Sequence, residues 1–193
     1  RSLRRTPGFA LVAIGTLAIA FGVTTGMFTV VNAMLIQPLP YAHPDRLLFV
    51  SGTAPGSDLP PDLGVSSEFF VHYRERATLL EDVAIVDSFT STLRVRDRVE
   101  RVRMSMPTYT LFTTLGATPI LGRLPVATDE SRTALISYAL WQNWFGGDPN
   151  VIGQSHSMSG DNRTIIGVMG PEFGFPSEGT LLWIPTDVPI ADI

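Results

Sequence analysis

The run FALVAIGTLAIAFGVTTGMFTVVNAMLIQ, Phe9 to Gln37, contains no Asp, Glu, Lys, Arg or His, and its reading decides how the rest of the chain is divided. A bilayer core roughly 30 Å thick is crossed by about 20 apolar helical residues, so the run is read as a transmembrane helix with length to spare. Gln37-Pro38-Leu39-Pro40 ends it, because proline cannot continue a helix and restricts the residue before it. Two other uses of such a run compete with this one. A secretory signal would take Arg1, Arg4 and Arg5 as its basic region and Ala18-Ile19-Ala20 as its cleavage site. Signal cores, however, end after roughly 7–15 apolar residues, and this run stays apolar to Ile36. A core helix of a soluble protein would rarely lack every charge over so many turns.

Working outward, the three arginines precede the run and no Arg or Lys follows until Arg46, which places the amino end in the cytoplasm. The chain then divides into a basic flank (1–8), a membrane helix (9–37) and an extracytoplasmic domain (38–193). Ala18, Gly22 and Gly26 recur every four residues and share a helix face on which a second helix can approach closely. Thr24, Thr25 and Asn32 add polar groups that are costly against lipid, so the helix is expected to pack among others.

The remainder is large enough for one compact domain. It has no cysteine, which excludes disulfides, thiolate catalysis and cysteine metal sites. All fourteen basic residues are arginine, so a Walker A phosphate loop and Schiff-base chemistry, which need lysine, are excluded as well. From Tyr41 onward 11 arginines face 18 carboxylates, a net of 11 − 18 = −7, a poor balance for binding nucleic acid.

In chain order, Arg46 to Ser51 is apolar and bounded, and is predicted to be a buried strand. Gly52 to Gly64 is a loop. A helix capped by Ser66 or Ser67 is predicted to run to about Ala77, with Phe69, Phe70 and Tyr73 inward. Leu93 and Val95, then Val102, Met104 and Met106, alternate with Arg94, Arg96, Arg101, Arg103 and Ser105, which predicts a hairpin turning near Asp97 with one apolar face. Its arginines, Arg98 included, are open to two readings: a docking patch for an acidic partner, or a solvated face paired with Asp97 and Glu100. Pro107 to Gly116 predicts a short helix, Thr133 to Ser137 a strand, and Tyr138 to Phe145 a helix capped by Ser137 and stopped by Gly146. Gln154 to Ser159 and Arg163 to Val168 predict two strands around a turn at Gly160-Asp161-Asn162, before a final Pro, Gly and aromatic segment. The fold class is α+β with a mixed or antiparallel sheet.

No chemistry stands out. His43, His72 and His156 are far apart and none has metal-ligand spacing; Gly160-Asp161-Asn162 lacks the acidic pattern of a calcium loop. No Gly-x-Ser-x-Gly elbow is present. The reading is of a protein that is not an enzyme, with no catalytic, cofactor or metal site.

Several stretches taken together resemble the MacB/FtsX-like ABC transporter permeases, and among them the orphan permeases described from acidobacteria. They are Arg1 to Phe9, Val31 to Tyr41, Tyr73-Arg74-Glu75-Arg76, Ala139-Leu140-Trp141-Gln142, Phe145 to Pro149, Ile165 to Met169, Phe173 to Pro176, and Leu182 to Pro185. The resemblance implies a MacB-like periplasmic core domain behind a first membrane helix in the bacterial inner membrane. It also implies a cytoplasmic ABC ATPase partner, further permease helices or a second permease copy, and a role in export or efflux. The Gly122 to Thr133 connection is short where such proteins have a longer acidic segment, and no later membrane helices are present, so the chain reads as a permease fragment. The alternative is a single-span anchored binding or sensor domain that works without an ATPase.

Overall fold

The computed structural model describes residues 7–32, 41–53, 55–58, 64–129 and 132–187. Two compact units are present, Arg1–Leu39 and Pro40–Ile193. The first is helix α1, Pro7–Val31. It starts two residues before the uncharged run, and the expected end of the span at Gln37 lies outside the described residues. Its span Leu11–Val31 is long and apolar enough to cross a membrane by length and composition.

Among its described residues the second unit has seven strands. β1 (Val86–Val95) and β2 (Arg98–Pro107) form the long hairpin, in register from Val86 opposite Pro107 to Val95 opposite Arg98. The turn is Arg96-Asp97, as the alternation predicts, with Arg96 at a φ of 51°. Leu93, Val95, Val102 and Met104 are buried on one face. β3 (Pro119–Gly122), β4 (Thr133–Ile136), β5 (Ser155–Met158), β6 (Asp161–Met169) and β7 (Leu182–Trp183) complete the sheet in the order β3-β6-β4-β7-β2-β1-β5. β5 also pairs with β6, so the last strand in that order returns to the second and six strands close into a ring.

β6 makes closure possible because its length serves three neighbours. Thr164 pairs with Ser155 of β5 on one edge and with Thr133 of β4 on the other. Further along, Gly167 pairs with Gly122 of β3. A Cβ on Gly167 would lie 2.6 Å from the Arg123 carbonyl oxygen and 2.7 Å from Leu135 Cδ2, so a backbone on one side and a core side chain on the other leave room only for glycine. The sheet is mixed: β4 runs parallel to β6, β7 runs parallel to β2, and the other pairs are antiparallel.

The ring interior is filled from all six of its strands, among them Leu93, Met104, Ile136, Met158, Ile165 and Leu182, all essentially without exposure. Leu140 of α4 (Tyr138–Phe145) joins this core. Ser137 caps α4 as expected, its Oγ accepting from Leu140 N at 3.1 Å, and Gly146 stops it at a φ of 63°. A second cluster lies on the other sheet face, where Phe112 of α3 (Thr110–Thr114) meets Leu135, Ile166, Met169 and Trp183. Phe173 stacks on Trp183 at 5.2 Å and Tyr41 reaches Phe175 at 5.9 Å between ring centroids, while Trp183 Nε1 donates to the Phe175 carbonyl. Burial pushes the Tyr41 phenol up. The stretches Phe173 to Pro176 and Leu182 to Pro185, separate in sequence, therefore form one aromatic pack.

Four expectations need correction. Arg46 to Ser51 is not a buried strand. Pro44–Arg46 instead forms a short 3-10 turn opened by proline, Arg46 pairs with Glu81 at 2.8 Å, and Leu48 and Phe49 are 78% and 83% exposed. Helix α2, Ser67–Arg76, is present, but it buries Phe70 and Val71 while Phe69 and Tyr73 are exposed, so its inward face is rotated from the expected one. The β5–β6 turn is Ser159-Gly160, with both residues at positive φ and Met158 directly opposite Asp161, because a two-residue hairpin loop favours that conformation. Pro119–Gly122 and Leu182–Trp183, expected to be connections, are strands.

Candidate functional site

Two features could carry function, one in each unit. On α1, Ala18, Gly22 and Gly26 lie on one face by their spacing, and a Cβ on either glycine would meet nothing within 4 Å. The Thr24 hydroxyl donates to the Ala20 carbonyl at 2.8 Å and that of Thr29 to the Thr25 carbonyl at 2.9 Å. Threonine thereby satisfies its polar group inside its own helix, so its presence alone does not demand a polar neighbour.

No group of three or more His, Cys, Asp or Glu able to hold a metal occurs among the described residues. His156 packs on Phe145 at 5.3 Å and its Nε2 lies 3.3 Å from Gln154 Oε1. Burial first, then the Arg96 charge, hold its imidazole below the usual range, which favours the neutral ring. Asp161, which opens β6, pairs with Arg163 at 3.1 Å. Asp129 takes both nitrogens of the Arg123 guanidinium at 2.6 Å and accepts from Val126 N, which pins the short connection after β3. The arginine bonds hold its carboxyl below the usual range. Sequence pattern gave no sign of this clamp, since the two residues sit in a stretch without periodicity.

The hairpin arginines do not act as one group. Register puts Arg98 and Glu100 on the face of Leu93 and Val95, at the tip, where they pair at 3.0 Å and Arg98 stacks on Trp144 at 4.1 Å. Arg96 is taken up in the turn. Arg94, Arg101 and Arg103 remain together on the outward face. Arg103 donates to Ser177 Oγ at 3.0 Å, beside a shallow groove of about 410 Å³ bordered by Ser88, Phe89, Thr90 and Pro176.

The profile of the MacB-like periplasmic core domain matches residues 10–192. Among solved structures, the periplasmic region of MacB from Actinobacillus actinomycetemcomitans is similar with a TM-score of 0.56 and 16% identity, over 74% of this chain and 65% of that one. The extracellular domain of the noncanonic ABC-type transporter YknZ from Gram-positive bacteria is similar with a TM-score of 0.51 and 16% identity, over 61% of each chain. At such identities the likeness is one of fold. The chain spans less than two thirds of the length of either structure. No curated protein matches it in sequence.

Proposed function

The chain belongs to the MacB-like periplasmic core domain family, and from that premise we propose that it is the front part of an ABC transporter permease. In this reading it converts the ATP-driven motion of a separate cytoplasmic ATPase into movement of the periplasmic domain for export or efflux. The observation that carries the proposal is the family match over residues 10–192, which takes in an apolar helix long enough to span a bilayer and the closed-sheet unit together. Helix α1 serves as the moving stalk in the inner membrane, with its amino end in the cytoplasm beside the ATPase, and the outer unit is the responding part. The chain itself is not catalytic. Its other partners are lipid and further permease helices or a second permease copy, which meet it on the Ala18, Gly22 and Gly26 face.

Affinity purification of the tagged chain from its native membrane, solubilised in mild detergent, tests this. An ABC ATPase is expected in the eluate, and its recovery should fall about tenfold in a Gly22→Leu, Gly26→Leu variant, since bulk at a small-residue contact removes close packing. A wild-type eluate with no ATPase would support an anchored binding or sensor domain instead.

A further inference from the structure

The outward face of the β1–β2 hairpin, continued by β5, carries cations without the anions that would neutralise them. Its residues follow from register. Ser88 stands opposite Ser105, Thr90 opposite Arg103, Thr92 opposite Arg101, and Arg94 opposite Val99 on β2 and Ser157 on β5. No carboxylate occupies this face on any of the three strands. The carboxylates of the hairpin fall elsewhere: Asp87 and Glu100 share the parity of Leu93, and Asp97 is in the turn. Among the described residues the ion pairs of the unit are Arg46–Glu81, Arg98–Glu100, Arg123–Asp129 and Arg163–Asp161, none of them with Arg94, Arg101 or Arg103.

This placement runs against the charge of the protein. The region from Tyr41 onward has a net charge of −7 (11 arginines less 18 carboxylates), yet three of its arginines are gathered where no acid accompanies them. Charged sheet faces normally alternate or pair opposite signs, because like charges side by side are destabilising. The spacing is regular as well. Arg101 and Arg103 are two residues apart on one strand, about 7 Å, and Arg94 is diagonal to Arg101 at about 7–8 Å. An extended peptide repeats its side chains on one face at the same interval. Hydroxyls of Thr90 and Thr92 stand directly opposite Arg103 and Arg101, and can donate to or accept from a peptide backbone. The groove beside Arg103, with Phe89 and Pro176 at its border, offers room for an apolar side chain.

We propose that the outward face of β1, β2 and β5 is a docking surface for an acidic protein segment in extended conformation, whose alternate carboxylates engage Arg94, Arg101 and Arg103. This goes beyond the transport reading and does not depend on an ATPase.

The test uses the full chain in nanodiscs of zwitterionic lipid and, as probe, a fluorescent dodecapeptide of alternating Glu and Thr. Fluorescence anisotropy is expected to show saturable binding at roughly 50 mM salt that weakens several-fold at roughly 250 mM, since exposed charges are screened. An Arg94→Gln, Arg101→Gln, Arg103→Gln variant should bind about tenfold more weakly, as expected for the loss of three exposed ion pairs. Arg74→Gln, Arg76→Gln on α2 should bind as the wild type does. Single Arg101→Gln and Arg103→Gln variants, each expected to lose a few-fold, keep the test open if the triple variant does not fold. Absence of saturable peptide binding by the wild type, or triple and single variants that bind as the wild type does, would overturn the proposal. So would binding of anionic phosphatidylglycerol vesicles without binding of the peptide, which would mark the face as one that meets lipid.

Discussion

Ser137 illustrates how much a single residue can announce. A serine between a short apolar strand and an aromatic helix is a strong N-cap signal, and its hydroxyl does accept from Leu140 N. Ser137→Ala is expected to cost about 1 kcal/mol, for loss of one cap in a buried position. In a thermal melt this should lower the midpoint by about 3 °C. His156 announced little, because its role depends on a neighbour, Phe145, that only the fold supplies. Its folded imidazole takes up a proton less readily than the unfolded one, so below about pH 6.5 the unfolded chain binds the extra proton. Stability is therefore expected to rise with pH through this window and to fall on acidification. The acid-side decline in midpoint between about pH 7 and pH 5 should become shallower in His156→Gln. An unchanged acid limb would show that His156 is as free to charge in the folded state as in the unfolded one.

Among the elements, those with period and caps were legible and those made by pairing alone were not. Alternation from Leu93 to Met106 placed the hairpin, its turn and its buried face, and the capped helix α4 was read to the residue. The arginines in that pattern could not be divided between faces beyond the turn until register fixed Arg98 beside Trp144. Leu47 to Val50 misled for a complementary reason: hydrophobicity suggests burial, but a strand also needs a partner, and the ring strands are already paired with one another. The two residues of β7 and the four of β3 are too short to show any period, so their strand character comes from neighbours alone. Gly167 belongs to this scale, since it is tight only because β3, β4 and β6 converge there. Gly167→Ala is expected to destabilise the outer unit by about 1–3 kcal/mol through overpacking against backbone that cannot withdraw. Chemical denaturation followed by tryptophan fluorescence would measure it.

For the whole molecule, the division into an apolar helix and an α+β domain was legible from charge distribution and composition, and ring closure was not. Closure depends on β6 holding β5, β4 and β3 at once and on Trp183 fixing β7 between β4 and β2. A closed sheet should lose its structure as one body. Trp183→Ala is therefore expected to cost about 3–5 kcal/mol, as for a buried aromatic cut to alanine. Its melts by near-ultraviolet and far-ultraviolet circular dichroism should coincide for the outer unit; separated transitions would show that the two halves of the ring stand alone. The same closure governs the order in which the chain can mature as it is synthesised. β1 and β2 can zip together as soon as they emerge, yet the outer edge of β2 waits some eighty residues for Leu182. Throughout that interval the newborn hairpin presents open backbone to its surroundings, the condition in which stray strands are captured. It is β7, the seventh strand in chain order, that ends that exposure.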